Sequence, residues 1–175
     1  NKQGTNIPTF LNKDNHIEYL ACPRPVRPST KIYWKERGYY MTKLTFNDLG
    51  LKEGLLKAIT DLGFTTPSDI QAEAIPVALK GQDIIGQAQT GTGKTAAFGL
   101  PMLNNITNRK AISSIILAPT RELAIQVHDE LVKLAKYEKL NVVAVYGGAP
   151  IHNQIRDIKK ANIVVGTPGR VLDHR

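Results

Sequence analysis

The 175-residue chain is poor in cysteine and has no long apolar run. Its one cysteine, Cys22, cannot close an internal disulfide. That excludes a disulfide scaffold and fits a reducing, cytoplasmic setting. No apolar stretch approaches the roughly 20 residues of a membrane-spanning helix. No basic-then-apolar leader with a small-residue cleavage site opens the chain. The four histidines, His16, His128, His152 and His174, show no metal-ligand spacing. A disordered polyelectrolyte is excluded as well, because 42% of the residues are hydrophobic and can build a core.

What is present is a positive balance of +8, which favours polyanionic partners such as RNA or DNA and is silent on fold. Residues 1–40 hold seven Lys or Arg against three acids, and residues 41–175 hold sixteen against twelve. The patterned part is therefore only mildly basic, and its motifs carry the argument.

Residues 1–40 form an unpatterned extension, with three prolines between Pro23 and Pro28 and no sustained helical or strand period. Two readings stand. The stretch is a basic, aromatic arm (Lys31, Tyr33, Trp34, Lys35, Arg37, Tyr39, Tyr40) able to stack on bases, or it is translated upstream sequence with Met41 as the natural start. The second is favoured, because Lys35-Glu36-Arg37-Gly38 is what a purine-rich ribosome-binding tract encodes when read through.

Residues 41–175 read as one α/β domain. Leu51, Leu55, Leu56, Ile59 and Leu62 recur at helical spacing, and Gly63 stops that helix. Thr66-Pro67-Ser68-Asp69 predicts the next helix start, with Pro67 at the first helical position. Four short Val/Ile-rich segments follow: 83–87, 114–118, 142–146 and 163–166. They alternate with helices over 94–106, 121–136 and about 151–160. Short apolar strands alternating with helices predict a mostly parallel sheet with helices on both faces. Lys133, Lys136 and Lys139 with Glu130 and Glu138 read as a solvated face.

The sharpest chemical signal is Ala88-Gln89-Thr90-Gly91-Thr92-Gly93-Lys94-Thr95, between a predicted strand and a predicted helix. Gly91 and Gly93 let the backbone aim successive N–H groups at one point. The helix opening at Lys94 adds its positive dipole end. Lys94 supplies a charge for the outer phosphates, and the Thr95 hydroxyl is a hard oxygen for Mg²⁺. Ala88 stands where the general pattern has glycine, which is tolerable if that position needs no positive φ. The same residues also fit a dinucleotide fingerprint, Gly91-x-Gly93-x-x-Ala96. That reading fails because the next strand ends in Ala118-Pro119 with no acid to hold a ribose.

Upstream, Gly63-Phe64-Thr65-Thr66-Pro67-Ser68-Asp69-Ile70-Gln71, with Phe46 before it, resembles the Q motif of DEAD-box RNA helicases, here spanning about 44–72. The resemblance implies that Gln71 hydrogen-bonds the adenine edge and that the upstream aromatic, Phe46, packs on the ring, with Phe64 in the same site. An amide presents an acceptor and a donor side by side, which matches adenine N6 and N7 and mismatches guanine. Three strand ends then match further motifs of that family in order: Pro119-Thr120-Arg121-Glu122-Leu123-Ala124, Gly147-Gly148, and Thr167-Pro168-Gly169-Arg170. The resemblance implies that these loops hold the sugar-phosphate backbone of one RNA strand. Their position suits that role, since ligands of open α/β sheets bind at the carboxyl ends of strands. Thr120 and Thr167 can donate hydroxyls, the glycine pair allows close approach, and Arg121 and Arg170 can pair with phosphates. For Arg121 an ion pair within the domain is an equally good reading.

The resemblance covers about 44–175 and implies an ATP-dependent RNA helicase with a RecA-like P-loop lobe, ATP and Mg²⁺ as cofactors, and sequence-independent RNA contacts. The short spacing and the Met41 start suggest a bacterial member. The Asp-Glu-Ala-Asp and Ser-Ala-Thr motifs and a second lobe do not occur in the chain. In the family these position Mg²⁺ and the attacking water. The chain alone is thus expected to bind ATP weakly and not to hydrolyse it efficiently. The strand at 163–166 is expected to be an exposed sheet edge. Another P-loop NTPase and a non-catalytic RNA-binding lobe are the alternatives, and the Gln71 pattern and the 119–124 motif weigh against the first.

Overall fold

The computed structural model describes residues 44–108 and 110–174. The readings of residues 1–40 and of Met41 fall outside that range. A 3₁₀ turn, Phe46–Leu49, opens the described chain and is capped by Thr45 and Asp48, whose side chains bond each other at 2.7 Å. The elements that follow are α1 (Glu53–Asp61), α2 (Asp69–Leu79), α3 (Lys94–Asn105), β1 (Ser114–Leu117), α4 (Arg121–Leu134), β2 (Val142–Val145), α5 (Ile151–Ile158), β3 (Ile163–Gly166) and α6 (Pro168–Asp173). Among the described residues no helix is long and apolar enough to cross a membrane.

The three strands form a parallel sheet of order β1-β3-β2. Their alternation sorts the core into two layers. Val142, Ile163 and Val165 face α4 and join the larger cluster, where Leu100 and Leu103 of α3 and Leu131 of α4 are fully buried. Val143, Val145 and Val164 face the other way, toward Ile158 of α5 and Val171 of α6. Helices thus cover both faces, as the alternating pattern predicted.

Four expectations are corrected. The strand at Ile163–Gly166 is no edge: it lies between the other two, and all four of its residues are buried. It is flanked on both sides because each crossover from β1 and β2 packs back on the sheet, and sheet order is not encoded in local pattern. Residues 83–87 form no strand. Ile84 and Gly86 of this segment and Ile116 and Leu117 of β1 line the same open cavity of about 650 Å³. Among the described residues no strand pairs with this segment, and Ile84 and Ile85 are exposed. The helix α2 starts one cap later than expected. Ser68 is its N-cap and Asp69 its first residue, which leaves Pro67 outside the helix. Finally, Glu138 is buried rather than part of a solvated face, with its carboxylate closing over Gly54 of α1.

A polar clamp joins α1 to the segment after α4. Asp61 accepts from Lys136 Nζ and from the Tyr137 hydroxyl, each at 2.6 Å. The ammonium groups of Lys57 and Lys136 lie over the Tyr137 ring at 4.5 and 4.9 Å. The two donors hold the Asp61 carboxyl below its ordinary value, and the same pairing raises the Lys136 ammonium.

Candidate phosphate-loop and strand-end site

The loop 88–95 joins the unpaired segment to α3. Gly91 (φ 83°) and Gly93 (φ 79°) both take left-handed angles, the latter as N-cap of α3. Ala88 needs no such angle, since Lys139 is the one described non-glycine residue with positive φ. Substitution of glycine by alanine at residue 88 is therefore compatible with the turn. Lys94 Nζ donates to the carbonyls of Ala88 and Gln89, so the ammonium sits inside its own loop. The Thr92 hydroxyl donates to Gln89 O at 2.8 Å and tightens the same turn. Thr90 is exposed at the tip, and Thr95 is half-buried in the first turn of α3.

The structure ties this loop to the start of α2. Gln71 is the third residue of α2, and its Oε1 accepts from the Ser68 backbone N at 3.0 Å, completing a capping box. Its Nε2 donates to Gly93 O at 3.1 Å, and the Ser68 hydroxyl donates to Thr92 O at 2.8 Å. Gln71 is 5% exposed. One N–H and one lone pair of its amide are used here, which leaves one of each for a ligand. Close by in sequence, the Phe46 and Phe64 rings stack with centroids 6.4 Å apart. Phe46 is buried in the core beneath, while Phe64 presents its ring to solvent.

The other predicted loops gather at the carboxyl ends of the three strands. Thr120 caps α4, its hydroxyl accepting from Leu123 N at 3.2 Å, with Pro119 just before it. Arg121 is exposed and lies over the Tyr146 ring at 4.9 Å, with its Nη1 beside Gly148. Among the described residues it makes this stack and not the ion pair of the alternative reading. Gly147 and Gly148 are exposed after β2. Thr167 is the N-cap of α6, with Pro168 in its first turn and Gly169 exposed beside it. Arg170 is enclosed: Nη1 donates to Ala149 O at 2.9 Å and to Gln154 Oε1 at 3.1 Å.

Residues 68–175 match the DEAD/DEAH box helicase family. The chain belongs to that family. It is 55% identical over 132 residues to the DEAD-box ATP-dependent RNA helicase CshA of Bacillus cereus, which covers 74% of this chain and 25% of that protein. It is 53% identical over 133 residues to the DEAD-box ATP-dependent RNA helicase RhpA of Helicobacter pylori, covering 75% of this chain and 27% of the relative. The chain therefore spans about a quarter of the length of these relatives. Among solved structures it resembles a DEAD box protein from the hyperthermophile Methanococcus jannaschii. The TM-score is 0.72 at 49% identity, over 74% of this chain and 36% of that one. A hypothetical ATP-dependent RNA helicase from Sulfolobus tokodaii matches with a TM-score of 0.65 at 38% identity, over 70% of this chain and 36% of that one. The parallel sheet with its helices is the RecA-like fold of these structures.

Against this family background, three residues stand out that sequence reasoning did not assign to the site. Ser68 was legible, since Ser-x-x-Gln is a capping-box signature. Tyr146 offered a weaker signal, an aromatic directly before a glycine pair. Gln154 offered none, because a glutamine in a polar helix looks like any solvated residue. Among the described residues no group of three His, Cys, Asp or Glu is placed to hold a metal ion. The loop 88–95 carries no carboxylate, and its side-chain oxygens are those of Gln89, Thr90, Thr92 and Thr95.

Proposed function

We propose that this chain is the ATP- and RNA-binding part of an RNA helicase that uses ATP hydrolysis to separate a short duplex locally. One observation carries the reading: Gln71, the adenine reader that the resemblance implies, is hydrogen-bonded to Gly93 of the phosphate loop. Base-reading and phosphate-holding groups thus meet at one place. The adenine edge takes the remaining N–H and lone pair of Gln71, and its ring packs at the Phe46–Phe64 pair. The phosphates sit on the backbone N–H groups of residues 89–95. Lys94 exchanges its loop carbonyls for phosphate oxygens; the Thr95 hydroxyl would help hold a phosphate-bound Mg²⁺, whose charge would offset that of the transferring group.

Single-stranded RNA lies across the three strand ends, held through its backbone and hence without sequence preference. Thr120, Thr167, Gly147, Gly148 and Gly169 line that path beside Pro119, Pro168 and Arg121. A cytoplasmic location accords with the lone cysteine. The test is RNA-stimulated ATPase activity of the full-length protein that carries this lobe, with GTP and single-stranded DNA as comparisons, since the lobe by itself is expected to turn over little ATP. Stimulation by RNA, preference for ATP, and loss of both in Lys94→Ala are the expected results. An acceptor-dependent phosphoryl transfer, or RNA binding indifferent to Lys94 and to ATP, would replace this reading with a small-molecule kinase or a non-catalytic RNA-binding lobe.

A further inference from the structure

The two arginines at the strand ends live in different surroundings. Arg121 is exposed and stacked on Tyr146, with donors to spare. The Arg170 side chain is 13% exposed, and its Nη1 is committed to Ala149 O and to Gln154 Oε1. Its Nε lies 3.4 Å from Asp173 Oδ2, within ion-pair range but without hydrogen-bond geometry. Such a group is badly placed to meet a phosphate directly.

Gln154 is the centre of that arrangement. It is 6% exposed on a helix whose other residues are mostly exposed or half-buried. Its Nε2 donates to Tyr146 O at 3.1 Å, at the carboxyl end of β2. Its Oε1 accepts from Arg170 and lies 3.2 Å from His174 Nε2, at α6 and its carboxyl-terminal cap after β3. The amide orientation is unambiguous, since a carbonyl faces its nitrogen and a guanidinium faces its oxygen. One buried amide therefore bridges the segment 146–149 and α6.

We propose that Gln154 is a positioning residue for RNA binding: through Arg170 it braces the Gly147-Gly148 loop against the Thr167-Pro168-Gly169 loop, so that the two meet the RNA backbone as one surface. Arg170 is a strut in this scheme, and Arg121 is the arginine that meets phosphate. The inference rests on the proposed RNA contacts of these loops and adds how they are held in register.

Salt dependence separates a strut from a phosphate ligand. Each phosphate contact on a single strand contributes about 0.7 to the slope of log affinity against log salt. The experiment measures binding of a fluorescent single-stranded RNA to the full chain at several salt concentrations, with ATP affinity and melting temperature in parallel. Gln154→Met is expected to weaken RNA binding roughly tenfold, as the loss of a buried bridging amide implies. Its salt slope and ATP affinity should match wild type. Arg170→Met should weaken RNA binding with the slope likewise unchanged, and the double variant should be no weaker than the worse single one. Gln154→Glu keeps the acceptor for Arg170 but replaces the donor to Tyr146 O with a carboxylate oxygen that faces that carbonyl. It is expected between wild type and Gln154→Met, and it stands in if the methionine variant does not fold.

Wild-type RNA affinity in both Gln154 variants overturns the inference, as does a slope lowered by about 0.7 in Arg170→Met. If wild type itself binds no RNA, the proposed RNA contacts fail first and the brace falls with them.

Discussion

Two glycines of the phosphate loop offer a matched pair of perturbations. Gly91 and Gly93 have nearly equal angles, φ 83° and 79°. An alanine at either position carries the same left-handed strain, about 1–2 kcal/mol. Their surroundings differ. A Cβ on residue 91 meets nothing within 4 Å, whereas a Cβ on residue 93 falls on Gln71 Nε2. Because Gln71 is only 5% exposed, a displaced amide cannot turn to water. The Gln71–Gly93 bond breaks, and a buried group goes unpaired at a further cost of about 1–3 kcal/mol.

For a domain of this size 1 kcal/mol shifts the melting temperature by about 3–4 °C. Gly93→Ala should thus melt roughly 3–12 °C below Gly91→Ala, measured by thermal unfolding under identical conditions. In a Gln71→Ala background the gap between the two should close, because the obstructing amide is gone. Equal melting points of the two single variants, or a gap that survives in the Gln71→Ala background, would refute the reasoning.

Three further outcomes are expected. Gln71→Glu keeps the acceptor for Ser68 N but loses the donor to Gly93 O, so calorimetric titration should show ATP affinity falling at least tenfold while α2 stays helical. Asp61 has a folded-state pKa below its ordinary 3.8, held there first by the Lys136 hydrogen bond and then by Tyr137. Its stabilising contribution is present above pH 3.8 and is lost as the pH falls through the folded value. Melting temperature against pH should accordingly fall less steeply below pH 4 in Asp61→Asn. On β1, one of the two outer strands of the described sheet, Ile115 and Leu117 are 59% and 58% exposed, and Leu117→Lys should reduce aggregation measured by light scattering.

Local chemistry in the sequence announced the features that local chemistry controls. Val142 to Val145 and Ile163 to Gly166 read as strands because β-branched residues bounded by loops have few other uses. Gln71 and Lys94 were legible because their motifs are contiguous. The segment 83–87 misled for the same reason: its apolar run suits a strand, but a strand exists only beside another, and the described sheet gives this segment no partner. Glu138 and Gln154 were opaque because their burial is decided by residues far away in sequence, Gly54 for one and Arg170 for the other. The two roles of Gln71 illustrate both cases. Its capping bond spans three residues and was readable, while its bond to Gly93 spans twenty-two and was not.

The tethered amide of Gln71 also bears on nucleotide choice. A glutamine free to rotate could swap its oxygen and nitrogen and turn its NH₂ toward the carbonyl of guanine. Here that rotation would set NH₂ against the Ser68 N–H and oxygen against the Gly93 carbonyl, breaking both anchoring bonds with no water at hand. Under the proposed reading, discrimination against GTP is enforced by two main-chain groups that never touch the base. The side chain is the template, and the backbone forbids the template to be reversed.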